Sequence, residues 1–260
     1  MFDSLYIGAT GMRASQAQVD AIAQNVANLD TVGYRRNVVS FSEVSTAVTP
    51  TGTDSLDVVQ AAVASRGAGA LAAVGLSTDT GQLTQTNRSL DVAIDGAGFI
   101  EVTRPDGSPA YTRAGSLKLN ADGMLSLADG TLLANKIELP PDAQNITIGE
   151  DGKVTATVTG QTQAVEFGRI DLVSFPNPSG LQGIGGSQFI ATADSGSARA
   201  GSPNEDGRGA IKQGYVEGSN VQLTQEMVSM MVAQRSFEMN SRVVQAADQL
   251  MAMTNGLYKI

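Results

Sequence analysis

The chain contains no cysteine, no histidine and no tryptophan in 260 residues. Without thiols or imidazoles there are no disulfides, no thiolate or imidazole metal ligands and no histidine-based acid–base or nucleophilic catalysis. Aromatic residues make up 5% of the chain. A polysaccharide hydrolase needs only two suitably placed carboxylates, but no such pair is marked here and stacking faces for a sugar are scarce. Positive charge is scarce as well, with 17 Lys and Arg against 26 Asp and Glu and a net charge of -9. Beyond Arg35–Arg36 the basic residues do not cluster, which excludes a nucleic-acid surface because phosphate neutralisation needs a basic stripe. No window reaches the ~18 apolar residues of a membrane-spanning helix. The opening MFDSLYIGATGM lacks the basic and apolar regions of a cleaved secretory signal.

Proline is absent after Pro203, and glycine is absent between Val221 and Asn255. Nothing there interrupts a helix, and at about 1.5 Å per residue one could run about 50 Å. Within it Leu223, Met230, Phe237, Val244 and Met251 return every seventh position, with Met227, Ala233 and Ala247 three or four residues from them and Leu250 three beyond Ala247. This is the rhythm of a seam that packs on another helix. Residues 3–29 show the same rhythm in Leu5, Met12, Val19 and Val26, joined by Ile22 and Leu29. Gly8, Gly11 and Ser15 lie in or beside that seam, where small residues either permit close backbone approach or mark a kink. Asp30-Thr31-Val32-Gly33-Tyr34 supplies a stop, with Gly33 as a left-handed cap or turn residue. Asn220 or Ser219 is the expected N-cap of the second helix. One apolar seam is a weak return for ordering some forty residues, so the pattern favours a layer of helices completed by further copies over a lone antiparallel pair. The methionines of the last helix suit such a surface because a thioether fills irregular gaps, although core packing explains some of them equally well.

Between the helices the chain changes character twice. Residues 33–80 read as an extended connector, with short strands around Val38–Phe41 and Asp57–Val63 and a flexible stretch at Gly67–Ala70. Residues 81–215 read as a compact all-β domain. Strand-like runs at Leu90–Ile94, Phe99–Val102, Leu117–Leu119, Ile146–Ile148, Lys153–Val158 and Gly168–Phe175 alternate with Asp-Gly pairs at 95–96, 106–107, 122–123, 129–130, 151–152 and 206–207. Asp-Gly is a strong hairpin signal, read here as type I′ turns with positive φ. The pairs have neither EF-hand spacing nor the nine-residue calcium repeat. Gly96-Ala97-Gly98 lacks the third glycine of a dinucleotide fingerprint and precedes a strand, which makes it a tight turn. The expected fold is therefore α+β: long N- and C-terminal helices packed as a coiled-coil-like pair (1–32 and 216–260), an extended β connector and an all-β middle domain. No cofactor or metal is called for.

Ala23-Gln24-Asn25-Val26-Ala27-Asn28-Leu29-Asp30-Thr31-Val32-Gly33-Tyr34-Arg35-Arg36 resembles the amino-terminal signature of bacterial flagellar rod and hook axial proteins. Gln213-Gly214-Tyr215-Val216-Glu217-Gly218-Ser219-Asn220-Val221 and Ala233-Gln234-Arg235-Ser236-Phe237 resemble its carboxy-terminal signature. Leu90–Phe99 and Tyr111–Ser116 are similar to the middle domain. Gln24, Tyr34 and Ser236-Phe237 are mild departures from the usual pattern. The order and length of the blocks are most similar to the distal rod members. The resemblance implies a non-enzymatic subunit exported through the flagellar type III apparatus without a cleaved signal. It further implies self-assembly into a hollow helical tube that spans the periplasm, transmits torque and encloses the export channel. The implied partners are further copies, adjacent rod and hook proteins, the bushing rings and the export apparatus. The terminal helices would form the inner tube, the connector would brace neighbours, and the β domain would face the rings. The signature positions are Asn25, Asn28, Thr31, Gly33, Tyr34, Gly214, Glu217, Ser219, Asn220, Gln234 and Arg235. Asn25 and Asn28, three apart on one helical face, have amides that can satisfy a backbone group or an adjacent subunit.

Overall fold

The computed structural model describes residues 2–43, 70–159 and 163–257. The chain divides into two compact units. The first holds helix α1 (Phe2–Ala27), most of a two-stranded ribbon of β1 (Asn37–Glu43) and β2 (Ala70–Leu76), and helix α2 (Leu223–Leu257). The second is built from residues 27–36 and 75–221 and is almost entirely β structure. The result is the expected α+β fold, with terminal helices packed on each other and an antiparallel middle domain. The strand expected at Asp57–Val63, the glycine-rich stretch at 67–69 and the tail at 258–260 lie outside the described residues.

At 35 residues, α2 forms where proline and interior glycine are missing. Its start differs from expectation. Glu226 N–H donates to the carbonyl of Gln222, so Gln222 takes the cap position and the helix begins at Leu223, three residues beyond Asn220. Neither Asn220 nor Ser219 caps it, because the Asn220 side chain is spent elsewhere, on Arg36 N–H and the Asp79 carbonyl. Helix α1 ends at Ala27 and not at Leu29. Thr31 N–H donates to the Asn28 carbonyl, Tyr34 N–H to that of Thr31, and the Thr31 hydroxyl to Asn28 Oδ1. These successive turns take over from the helical ladder.

In the second unit β3 (Leu83–Gln85) pairs with β18 (Tyr215–Glu217), and β4 (Val92–Asp95) pairs with β17 (Ala210–Gln213). The largest sheet has nine strands. Its path runs β14 (Gln182–Gly185), β15 (Gln188–Ile190), β6 (Pro109–Thr112), β5 (Phe99–Thr103), β9 (Leu132–Leu133), β8 (Leu125–Leu127), β7 (Leu117–Leu119). Off that path, β13 (Leu172–Ser174) pairs with β5 and with β16 (Arg199–Gly201). A separate sheet joins β10 (Ala143–Ile148), β11 (Lys153–Val158) and β12 (Val165–Arg169). The run Gly168–Phe175, expected as one strand, is split at Ile170–Asp171. There the chain leaves the three-stranded sheet for the nine-stranded one, and Asp171 is engaged by Arg169 Nε at 2.7 Å and by Asn135.

Side chains that are neighbours in sequence enter different cores, as the two-residue period of a strand requires. Ile100, Val102, Ala110 and Leu172 belong to the larger aliphatic cluster, with Leu125, Leu139, Val154 and Ile211. Phe99, Tyr111 and Val173 turn to a smaller cluster with Phe175, Leu181 and Phe189. Its four aromatic rings meet in edge-to-face pairs, with Tyr111 and Phe175 centroids 4.8 Å apart at 82°.

All six Asp-Gly glycines have positive φ, yet four of the pairs are hairpins and two are not. Pairs 106–107, 122–123, 129–130 and 151–152 each close a hairpin, between β5 and β6, β7 and β8, β8 and β9, and β10 and β11. In each, the glycine N–H donates to the carbonyl three residues back. The aspartates of these four are not left-handed, so the turns are not the expected type I′. They are type I-like turns closed by a left-handed glycine. Pairs 95–96 and 206–207 connect strands that do not pair with one another.

Candidate assembly surface

In the first unit α1 and α2 run antiparallel, as three juxtapositions show. Glycine 8 faces Val244, Gly11 faces Asn240, and Asn25 meets Glu226. A Cβ added at Gly8 would lie 2.7 Å from Val244 Cγ2, and one at Gly11 would lie 2.8 Å from Asn240 Nδ2. The small residues are therefore points of close approach and not of kinking. On α2 the inward stripe passes through Glu226, Met230, Ala233, Phe237, Asn240, Val244, Ala247 and Met251, in alternating steps of four and three. Ala233 and Ala247 are buried, and Met230, Val244 and Met251 are half-buried.

The contact axis on α1 passes through Gly8, Gly11, Ser15, Ile22 and Asn25. Leu5, Met12, Val19 and Val26 flank it, half-buried, and Leu29 is half-buried beyond the helix end. Close approach explains the offset. Backbones touch where side chains are smallest, and larger residues wrap the sides. Leu223 and Met227 fall outside the intrachain stripe and are exposed, and Phe237 is at its edge, 39% exposed. Leu223 and Met227 share the outward side of α2 with Val228, Met231, Val232, Met239, Val243, Leu250 and Met253. Gln234 and Arg235 are exposed on the same helix.

One polar anchor interrupts the apolar packing. Asn25, 1% exposed, accepts the N–H of Asn37 at 2.8 Å through Oδ1 and donates to the Asn37 carbonyl at 2.9 Å. It also donates to Glu226 Oε2 at 3.2 Å. The amide thus grips both backbone groups of one residue at the start of β1, and it ties α1 to the first turn of α2. A polar residue at such a core position fixes helix register. Asn28 has a different task, as acceptor for Thr31 in the turn after α1.

The second unit contains a buried charge cluster built on Glu217. Its carboxylate accepts from Arg113 Nε at 2.6 Å, Arg35 Nη2 at 2.8 Å and Gly81 N–H at 2.8 Å. Its own backbone carbonyl accepts Gly33 N–H at 2.8 Å. Arg113 also donates to the carbonyls of Ile94, Gly96 and Gly98, and its guanidinium carbon lies 5.9 Å from the Phe99 ring centroid. Arg35 donates to the Asp79 carbonyl at 2.6 Å. Burial, joined by the like charge of Arg113, pushes the Arg35 pKa down, and Glu217 opposes both. Gly33 is at φ +69, where a Cβ would lie 2.3 Å from Ala114 N. Gly214, at φ +78, turns the chain between β17 and β18 and donates its N–H to the Asp91 carbonyl.

Sequence reasoning singled out Glu217, Gly33, Asn25 and Asn220 without their partners. It gave no role to Arg35, Arg113 or Glu226. For the arginines a signal was present, since bases are few and Arg113 follows a strand of buried residues. Glu226 looks in sequence like an ordinary acidic residue of a first helical turn.

Three family models match the chain. The model for flagella basal body rod proteins matches residues 5–35, the one for the D1 domain of flagellar hook protein FlgE/F/G residues 93–156, and the one for the carboxy-terminal part of flagellar basal body rod FlgEFG proteins residues 212–257. The chain is 37% identical over 259 residues to the flagellar basal-body rod protein FlgG of Caulobacter vibrioides, covering 98% of each. It is 38% identical over 266 residues to the flagellar basal-body rod protein FlgG of Bacillus subtilis, covering 96% of this chain and 97% of that one. The same bacterium's flagellar hook-basal body complex protein FlhP is 26% identical over 276 residues. Among the described residues no helix is long and apolar enough to cross a membrane. Signature blocks, paired terminal helices and full-length similarity converge: the chain belongs to the flagellar basal-body rod protein family, as a structural subunit of the distal rod.

Proposed function

We propose that copies of this chain polymerise through their terminal helices into a hollow helical tube that transmits torque and encloses an export channel. The observation that carries this reading is the outward side of α2. Nine large apolar side chains, from Leu223 to Met253, are each at least 42% exposed there, on a helix whose other side is already packed. Covering them contributes on the order of 1 kcal/mol each, or roughly 10 kcal/mol per copy. That is comparable with the ~4–15 kcal/mol cost of association, so repeated contacts with several neighbours are needed. In this arrangement Leu223, Met227, Phe237 and Leu250 contact the next copy, while Met230, Val244 and Met251 pack mainly within the chain beside Leu5, Met12, Val19, Ile22 and Val26. The β1–β2 ribbon, with Val38, Phe41 and Val74 exposed, braces a neighbour, since a lone two-stranded ribbon is marginal in water.

The chain works without catalysis. It stands across the periplasm between neighbouring rod and hook proteins, reaches its place through the flagellar export apparatus, and turns within the bushing rings. Sedimentation and electron microscopy test the assembly step. The full chain should form tubes on concentration, and the double substitution Met231→Glu with Val232→Glu should leave it monomeric with an unchanged β-unit melting transition. Tubes of unchanged diameter from the double variant would rule out this face.

A further inference from the structure

We infer that Glu217 is a positioning residue that clamps the segment 33–36 beside the segment 217–220, so that both chain ends leave the second unit at one fixed place. Its side chain and its backbone act together. The carboxylate takes Arg35 while the carbonyl two bonds from Cα takes Gly33 N–H. Beside this pair the two segments are cross-linked again, as Arg36 N–H donates to Asn220 Oδ1 at 2.7 Å, and Ser77 N–H holds the first segment through the Arg36 carbonyl at 2.8 Å. The Ser187 hydroxyl donates to the Val32 carbonyl at 3.0 Å.

The two arginines have unequal parts. Arg113 is held by three carbonyls of β4 and the β4–β5 connection as well as by Glu217, so it belongs to the β unit whether or not residues 33–36 are in place. Arg35 has Glu217 and a single carbonyl. The pocket that receives it exists only after Gly81 ahead of β3, Arg113 just past β6 and Glu217 at the end of β18 have come together. Residues near the amino terminus therefore dock only onto a unit completed by its last strand. A carboxylate is required because each oxygen faces donors on its own side: Arg35 and Gly81 N–H at Oε1, Arg113 at Oε2. A carboxamide would turn its NH2 toward one guanidinium, donor against donor.

The test is amide hydrogen exchange on the full chain, dilute enough to be monomeric, so the result does not depend on whether copies polymerise. Glu217→Gln and Arg35→Met should each accelerate exchange at Gly33 and Arg36 by at least tenfold, while Val154 and Ala156 in β11 keep wild-type rates. Arg35→Lys, which retains the charge without the fork, should fall between Arg35→Met and wild type. If Glu217→Gln does not fold, Arg35→Met decides alone, since it leaves the Arg113 contacts intact. Unchanged exchange at Gly33 and Arg36 in Arg35→Met would overturn the inference, as would a uniform acceleration that includes β11.

Discussion

Gly8 and Val244 approach so closely that a single added methyl at Gly8 would sit 2.7 Å from Val244 Cγ2. Valine is stiff at χ1, so the methyl cannot simply swing away. In an isolated helix Gly8→Ala would gain up to ~1 kcal/mol. Here overpacking of about 1–3 kcal/mol should outweigh it, and Val244→Ala should restore the gain. A double-mutant cycle read by thermal unfolding of the helical signal checks this, with coupling between the two sites as the expected outcome.

Asn25→Leu should cost about 2–4 kcal/mol, because it leaves the part-buried Asn37 N–H and carbonyl and one Glu226 oxygen without that partner. Asn25→Asp should be worse at neutral pH, since it sets a second carboxylate against Glu226, and adding Glu226→Gln should recover part of the loss. Denaturant titration of the four proteins gives the comparison.

Two glycines with similar φ separate backbone strain from crowding. Gly107 is at φ +82 with nothing within 4 Å, whereas Gly33 is at φ +69 with Ala114 N at 2.3 Å from the built Cβ. Gly107→Ala should cost only the left-handed penalty of about 1–2 kcal/mol. Gly33→Ala should cost that and more, because the obstacle is backbone. Differential scanning calorimetry of both variants tests the ordering, and equal losses would count against the close approach.

The Asp106 carboxylate accepts the Ser108 hydroxyl and then its N–H, which holds its pKa below the usual carboxylate range. A lowered folded pKa makes the contribution fully present above the unfolded value, near pH 4, and lost as pH falls through the folded one. Asp106→Asn should therefore lower stability slightly in the neutral region, where the contribution is present, and converge on wild type as pH falls through the folded pKa, which flattens the profile below about pH 4. Melting temperatures between pH 2 and 7 provide the check.

The helices, the β character of the middle and the turn glycines were legible in sequence because each depends on local chemistry: period, absent proline, and the left-handed freedom of glycine. The placement of Asn220 was not, because a cap and a cross-link to Arg36 use the same side-chain amide and only the fold chooses between them. The line of closest helix contact was displaced from the large residues to Gly8 and Gly11, since heptad counting weighs side-chain size and not backbone distance. The Arg35–Glu217–Arg113 cluster joins residues up to 182 positions apart, a pairing that no local pattern encodes.

Peroxide footprinting with mass spectrometry measures the central claim without altering the chain, because methionine oxidation follows exposure. In dilute monomer Met227, Met231 and Met239, all more than half exposed, should oxidise readily. After assembly at least Met227 and Met231 should be protected several-fold. Tubes in which both oxidise at the monomer rate would contradict the assignment of this helix face to the polymer contact.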